Sequence, residues 1–324
     1  MKITDIVSLH CDAGWRNFSF LKISTSEGIT GYSEYNESYG SAGVSYVIEK
    51  LKEHIIGSSA LSHETLFSRL YAMTRQAPGG INAQALAAIE NALLDIKGKA
   101  LDLPCYELLG GKMRDQLPLY WSHCGTYRVN KTTAQLLKKP ILSGLEGLTE
   151  LGAEVRESGF QALKCNMYRF DGVAHVHSPG FARRSNTPGA PELNADKSLL
   201  KDLEKQIAAL REGAGDDVDI LLDMNFNFKP EGYLRVIKAL ADFNLFWYEL
   251  DIFNPDALAF IRRQGRETIA SCESLYGHRE FRRYFEAQSM DVAIIGIPWN
   301  GAWQSYKIAA MADAYEVNVA PHNF

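Results

Sequence analysis

The chain has 324 residues, a net charge of −5, 46% hydrophobic residues and 23% charged residues. That length suits two domains or one barrel with a smaller companion, and an acidic balance without a Lys/Arg run among aromatics argues against nucleic acid as a partner. No apolar run nears the roughly 20 residues that span a bilayer, so no membrane partner is expected.

The opening Met1-Lys-Ile-Thr-Asp-Ile reads as a strand and lacks the apolar core of a signal peptide. The five cysteines include no Cys-x-x-Cys pair and read as reduced thiols of a cytoplasmic protein. β-like runs follow at Lys2–His10, Phe18–Thr25 and Ile29–Glu34, and Ser26-Glu-Gly28 has the composition of a hairpin turn. From Gly43 to Leu109 the pattern turns helical, with Ala83–Ala100 the strongest segment. Residues 1–115 therefore read as one α+β domain.

From residue 116 to 324 the pattern alternates between strand and helix. Strands are expected at Leu117–Cys124, Ala162–Asn166, Val218–Asp223, Leu245–Glu249, Thr268–Glu273, Val292–Gly296 and Val317–Pro321. Helical stretches between them include Gly144–Ser158, Asp196–Glu212, Gly232–Phe243, Pro255–Gln264 and Gly301–Tyr315. This succession points to a β/α barrel, and no Gly-rich turn follows the first strand as a dinucleotide fold requires. Between Tyr168 and Asn194 lies a long Gly/Pro/His-containing stretch, expected to be a lid, a binding loop or an insert. The chain stops at Asn323-Phe324 just after the seventh strand, so the barrel is expected to lack its C-terminal end.

Asp223, Glu249 and Glu273 each close a short apolar run, at nearly even intervals. Carboxylates at three successive barrel-strand ends would converge on one face and repel unless a hard cation sits among them, which suggests magnesium. His175-x-His177 also has ligand spacing, although a solvated insert explains it better. Glu90 and Asp95 read as structural residues of the long helix, and Cys165 and Cys272 as packing residues.

The stretch from Ala87 to Pro104, then Leu108-Leu-Gly-Gly, Lys164-Cys-Asn166, Asp223-Met-Asn225, Glu249, Cys272-Glu-Ser274 and Ala320-Pro-His322 together resemble the enolase superfamily, in its mandelate racemase and muconate-lactonizing branch. The likeness is closest to galactonate-dehydratase-type variants. It implies a modified (β/α)7β TIM-type barrel behind an α+β N-terminal capping domain, and magnesium held by the three strand-end carboxylates. The reaction implied is abstraction of the proton α to a carboxylate, the charge of the enediolate being offset by the cation. The base in such enzymes is a lysine or a histidine.

The chain departs from that pattern at three places. Asn166 stands where a second lysine is usual, Asn225 where galactonate dehydratases carry a histidine, and Gly296 where an aspartate orients the base. The acid–base work accordingly falls to Lys164 and His322, and either division of roles between them fits. Asn166 and Asn225 are expected to bind substrate or metal-bound water. Trp15 is expected in a specificity loop or the capping-domain core, and Trp299 in the pocket wall or in packing. The resulting expectation is a magnesium-dependent dehydratase of a sugar acid. The alternatives are a racemase, epimerase or cycloisomerase of a hydroxy-carboxylate, or a non-catalytic sugar-acid-binding relative. A small carboxylate substrate and a homo-oligomer are the partners implied.

Overall fold

The computed structural model describes residues 1–38, 40–170, 174–181 and 195–323. Three antiparallel strands open the chain, β1 (Ile3–Asp12), β2 (Asn17–Thr25) and β3 (Thr30–Tyr35). Helices α1 (Val44–Lys52), α2 (His63–Thr74), α3 (Gly80–Leu101) and α4 (Cys105–Leu108) follow. β2 alternates buried and half-buried residues, as a strand with one face on a core should. Leu21 and Ile23 on that face pack with Ile48, Ala88, Ile89 and Ala92. Close approach of β3 to α3 depends on Gly31, where a Cβ would lie 2.2 Å from the carbonyl oxygen of Ala92. Asp95 accepts from the backbone N–H of Tyr32 at 2.8 Å, the structural role its place in the helix suggested.

The second half supplies β4 (Tyr120–Trp121), β5 (Ala162–Asn166), β6 (Tyr168–Arg169), β7 (His175–Val176), β8 (Asp219–Asp223), β9 (Trp247–Glu249), β10 (Ile269–Ser271), β11 (Val292–Gly296) and β12 (Asn318–His322). Seven of these form one sheet in the order β12-β11-β10-β9-β8-β5-β4. Neighbouring strands pair parallel from β4 to β11. Helices stand between successive strands, as parallel pairing demands. With the antiparallel cap, this is the modified (β/α)7β architecture expected from the sequence.

Several boundaries differ from expectation for local reasons. The first barrel strand shrinks to Tyr120–Trp121, because His123 (φ 50°) and Gly125 (φ 86°) turn the chain in the left-handed region. β10 ends at Ser271, since Cys272 (φ 84°) is left-handed as well, so Glu273 lies beyond the strand. A helix at Gly277–Glu286 and a four-residue helix at Ile297–Asn300 were not evident in the sequence pattern. Within the Tyr168–Asn194 stretch β6 and β7 form a small antiparallel hairpin, while 171–173 and 182–194 lie outside the described residues.

Two compact units result. One comprises Met1–Asp115, Glu273–Arg283 and Ile294–Phe324, the other Gln116–Cys272 and Tyr284–Ala293. Among the described residues no helix is long and apolar enough to cross a membrane.

Candidate active site

In the unit built on Gln116–Cys272, strand register lines up three of the candidate side chains. Asn166 is the register partner of Asp223, and Asp223 of Glu249. Residues aligned in this way point to the same side of a sheet, so the row is set by main-chain pairing before any side chain interacts. Lys164 lies two residues before Asn166 and shares its side. Its ammonium donates to Glu249 Oε2 at 2.8 Å and lies 3.7 Å from Asp223 Oδ2. It also stands 5.5 Å from the ring centre of Tyr120. Lys164, Asp223 and Glu249 are each under 5% exposed.

Burial holds the Asp223 carboxyl above the ordinary aspartate range, and the neighbouring charge of Glu249 adds to that rise. Lys164, His123 and the backbone N–H of Asn225 oppose it. Asn225 is in the left-handed region (φ 45°) and turns both its backbone N–H and its side-chain amide onto Asp223 Oδ1. The Tyr233 hydroxyl donates to the Asn225 carbonyl at 2.6 Å and locks that turn. Asn225 thus orients a carboxylate, a task its residue type alone did not specify.

Glu249 Oε1 is buried without a hydrogen-bond partner among the described residues. An orphaned carboxylate oxygen beside a second buried carboxylate is a hard-oxygen donor set, which fits magnesium. No group of three His, Cys, Asp or Glu side chains that could hold a metal is gathered among the described residues.

The remaining candidates belong to the other unit. Glu273 Oε1 lies 3.7 Å from His322 Nε2, with His322 14% and Glu273 27% exposed. Trp299 flanks His322 at 5.3 Å between ring centres, and Tyr276 flanks Trp299 at 6.2 Å. Gly296 makes this possible: a Cβ there would come within 2.8 Å of the Trp299 ring. The indole therefore occupies the space above the residue where an orienting aspartate was looked for. Trp15 packs edge-on against Phe18 at 6.1 Å and beneath the Arg16 guanidinium at 4.8 Å.

His123, Thr126 and Asp251 were not anticipated. Thr126 Oγ1 donates to Asn166 Oδ1 at 2.6 Å, and His123 Nδ1 lies 3.3 Å from the same oxygen. Asp251 Oδ1 accepts from Ser271 Oγ at 3.0 Å and the Cys272 N–H at 2.9 Å, bracing the left-handed turn before Glu273. A histidine just past the first barrel strand was the one available signal, since the other candidates also sit at strand ends. His177 stacks on Phe228 at 6.2 Å, within the packing of the hairpin. All five cysteines are free, and burial pushes the Cys165 thiol up to about 12, which makes it an inert packing group.

Residues 148–324 match the family model described as Enolase C-terminal domain-like, and residues 10–110 match that of the mandelate racemase / muconate lactonizing enzyme N-terminal domain. The chain is similar over its full length to a protein from Burkholderia xenovorans strain LB400 provisionally described as an L-alanine-DL-glutamate epimerase. Identity is 50%, the TM-score is 0.94, and 81% of that chain is covered. A second structure of that protein, with 79% of its chain covered, was solved bound to magnesium and fumarate. Curated relatives are more distant. D-xylonate dehydratase of Haloferax volcanii is 26% identical over 99% of this chain and 72% of its own length. D-galactonate dehydratase of Pectobacterium atrosepticum is 28% identical over 99% and 75%.

Proposed function

The chain belongs to the enolase superfamily, in the mandelate racemase and muconate lactonizing enzyme branch, and from that premise we propose that it is a magnesium-dependent racemase or epimerase of a small carboxylate. The observation that carries the shared first step is the buried row of Asp223 and Glu249, with the Lys164 ammonium 2.8 Å from Glu249. Such a site is built to stabilise negative charge developing on a substrate carboxylate when its α-proton leaves.

Asp223, Glu249 and Glu273 are assigned as the magnesium ligands, with support from the orphaned Glu249 oxygen and from the magnesium-bound relative. Magnesium, when bound, supplies the positive charge that offsets the enediolate. Lys164, paired with Glu249 and Asp223, polarises the substrate carboxylate and transfers one proton. His322, held by Glu273 and Trp299, carries the other. Removal of the α-proton by one of these groups and delivery of a proton by the other to the opposite face of the same carbon inverts it, and the 50% identical relative favours that outcome over the dehydration first expected.

Dehydration of a sugar acid is the second reading, favoured by the D-xylonate and D-galactonate dehydratases that match 99% of the chain. In it one of the same two groups protonates a departing β-hydroxyl. Asn166 and Asn225 remain assigned to the substrate and metal surroundings, Trp299 to the wall beside His322, and Trp15 to a specificity loop. The matched segments support a capping domain over 1–115 and a barrel over 116–324. A cytoplasmic homo-oligomer is the assembly proposed.

Incubation with magnesium chloride and a panel of sugar acids, hydroxy acids and dipeptides in D2O tests the choice. Deuterium at the α-carbon with inversion and no 2-keto acid is the expected result. Accumulating keto acid would transfer the assignment to dehydration. Magnesium-dependent thermal stabilisation without exchange in any substrate would leave a non-catalytic binding protein.

A further inference from the structure

We propose that Asn300 and Gln84 are positioning residues for the Glu273–His322 pair. The Asn300 amide clamps the turn that follows Glu273 onto the end of β11, and Gln84 holds the same turn from α3. The proposal rests on the assignment of Glu273 as a magnesium ligand and adds the means by which that carboxylate is kept beside His322.

Glu273 lies outside the register that aligns Asp223 with Glu249, because β10 ends at Ser271 and the left-handed Cys272 leads the chain out of the sheet. Its place is set by side-chain hydrogen bonds to the turn after it. Asn300 closes the short helix Ile297–Asn300 and is 5% exposed. Its Nδ2 donates to the Leu275 carbonyl at 3.2 Å and to the Gly296 carbonyl at 3.1 Å, and its Oδ1 accepts from the Gly277 N–H at 2.6 Å. Two carbonyls at one end of the amide and an N–H at the other allow only this orientation. Gly296 is the last residue of β11, so one buried side chain ties a strand end to both sides of the turn. Buried backbone groups of an irregular turn need partners, and Asn300 supplies three of them.

The turn has a second hold. The Tyr276 N–H donates to Glu280 Oε2 at 2.8 Å, and the Tyr276 hydroxyl accepts from Nε2 of Gln84, a 3% exposed residue of α3, at 3.1 Å. The Tyr276 ring lies beside Trp299, and Trp299 beside His322. Asn300 therefore joins the two halves of the cluster: its amide grips the Glu273 turn, and its chain neighbour Trp299 packs on the histidine. Behind it the chain is pressed against α3, where a Cβ on Gly301 (φ 85°) would come within 2.1 Å of Glu90 Oε2. Close packing on that side keeps the short helix from sliding away from the turn.

The test is calorimetric titration of the full chain with magnesium chloride, beside thermal unfolding. Asn300→Ala should weaken magnesium binding about tenfold, the scale of hydrogen bonds lost from buried backbone groups. Gln84→Met and Tyr276→Phe each remove one bond from the same turn and carry the test if Asn300→Ala does not fold. Each should weaken magnesium binding about threefold, and the two together no more than either alone. Ile48→Val, in the core of the capping domain, should lower the melting temperature and leave magnesium affinity at the wild-type value. Wild-type magnesium affinity in every folded variant of the turn overturns the proposal and spares the magnesium site. An equal loss of affinity in Ile48→Val overturns it too, since affinity would then follow stability alone. A wild type that binds no magnesium overturns the ligand assignment itself, and the positioning role falls with it.

Discussion

The row of Asn166, Asp223 and Glu249 and the cluster of Glu273, Trp299 and His322 are held by different forces. Main-chain register aligns the row, and its members are buried to within 5% exposure. The cluster lies past a strand end or on the last strand, Glu273 Oε1 and His322 Nε2 are 3.7 Å apart, and its members are brought together by aromatic packing over a bare glycine. Register-set groups respond to substitution through charge and desolvation. Packing-set groups respond through displacement of a ring.

The largest effect should come from Lys164→Met, which leaves Asp223 and Glu249 facing one another without a buried cation. Loss of one partner from a buried ion pair costs about 3–5 kcal/mol. Urea unfolding should show that loss in metal-free protein and its partial recovery with magnesium chloride, while α-deuterium exchange stays down by about 10³-fold. Wild-type stability without magnesium would erase the contrast between the two regions.

Next is His322→Gln, expected to slow exchange by about 10²–10³-fold with magnesium affinity unchanged. A parallel loss of magnesium affinity would mean that packing and register are not separable in the way described.

Glu90 sharpens the comparison, as a buried carboxylate held by N–H groups instead of a lysine. It accepts from the backbone N–H of Trp303 at 3.1 Å and of Gln304 at 3.3 Å, and from Gln304 Nε2 at 3.0 Å. Burial pushes its carboxyl up to about 7, and the charge of Glu64 contributes in the same direction. Because the folded value exceeds the unfolded one, the folded state keeps a proton that the unfolded chain has released. Its contribution is full below pH 4.5 and is lost as pH rises through about 7. The size is roughly 3 kcal/mol, and Glu90→Gln should flatten the fall in urea midpoint between acidic and neutral pH. An unchanged slope would remove Glu90 as its source.

The smallest effect is expected from Gly296→Ala, whose Cβ would meet the Trp299 ring at 2.8 Å. Overpacking of this kind costs about 1–3 kcal/mol. Thermal unfolding should show it together with slower exchange, as the indole shifts beside His322. Full stability would mean that the ring yields freely and that packing does not fix the histidine.

The alternating pattern of short apolar runs and amphipathic helices was enough to read the barrel, because parallel strands buried on both faces leave near-continuous apolar runs. The same runs placed Lys164, Asn166, Asp223 and Glu249 at strand ends, where period-two geometry assigns their side. Other features depended on backbone turns that composition does not reveal. Left-handed His123, Asn225 and Cys272 shortened two strands, turned Asn225 onto Asp223 and moved Glu273 beyond its strand.

By itself, then, the sequence determined the fold and the identity of the charged groups through periodicity and residue type along the chain, and its motifs carried the resemblance to the family. The partners of those groups were decided only in the tertiary structure: Lys164 on Glu249, Asn166 clipped by Thr126, and His322 beside Trp299. Each of these contacts joins residues far apart in sequence, and its geometry depends on strand register and side-chain volume, which no local pattern records.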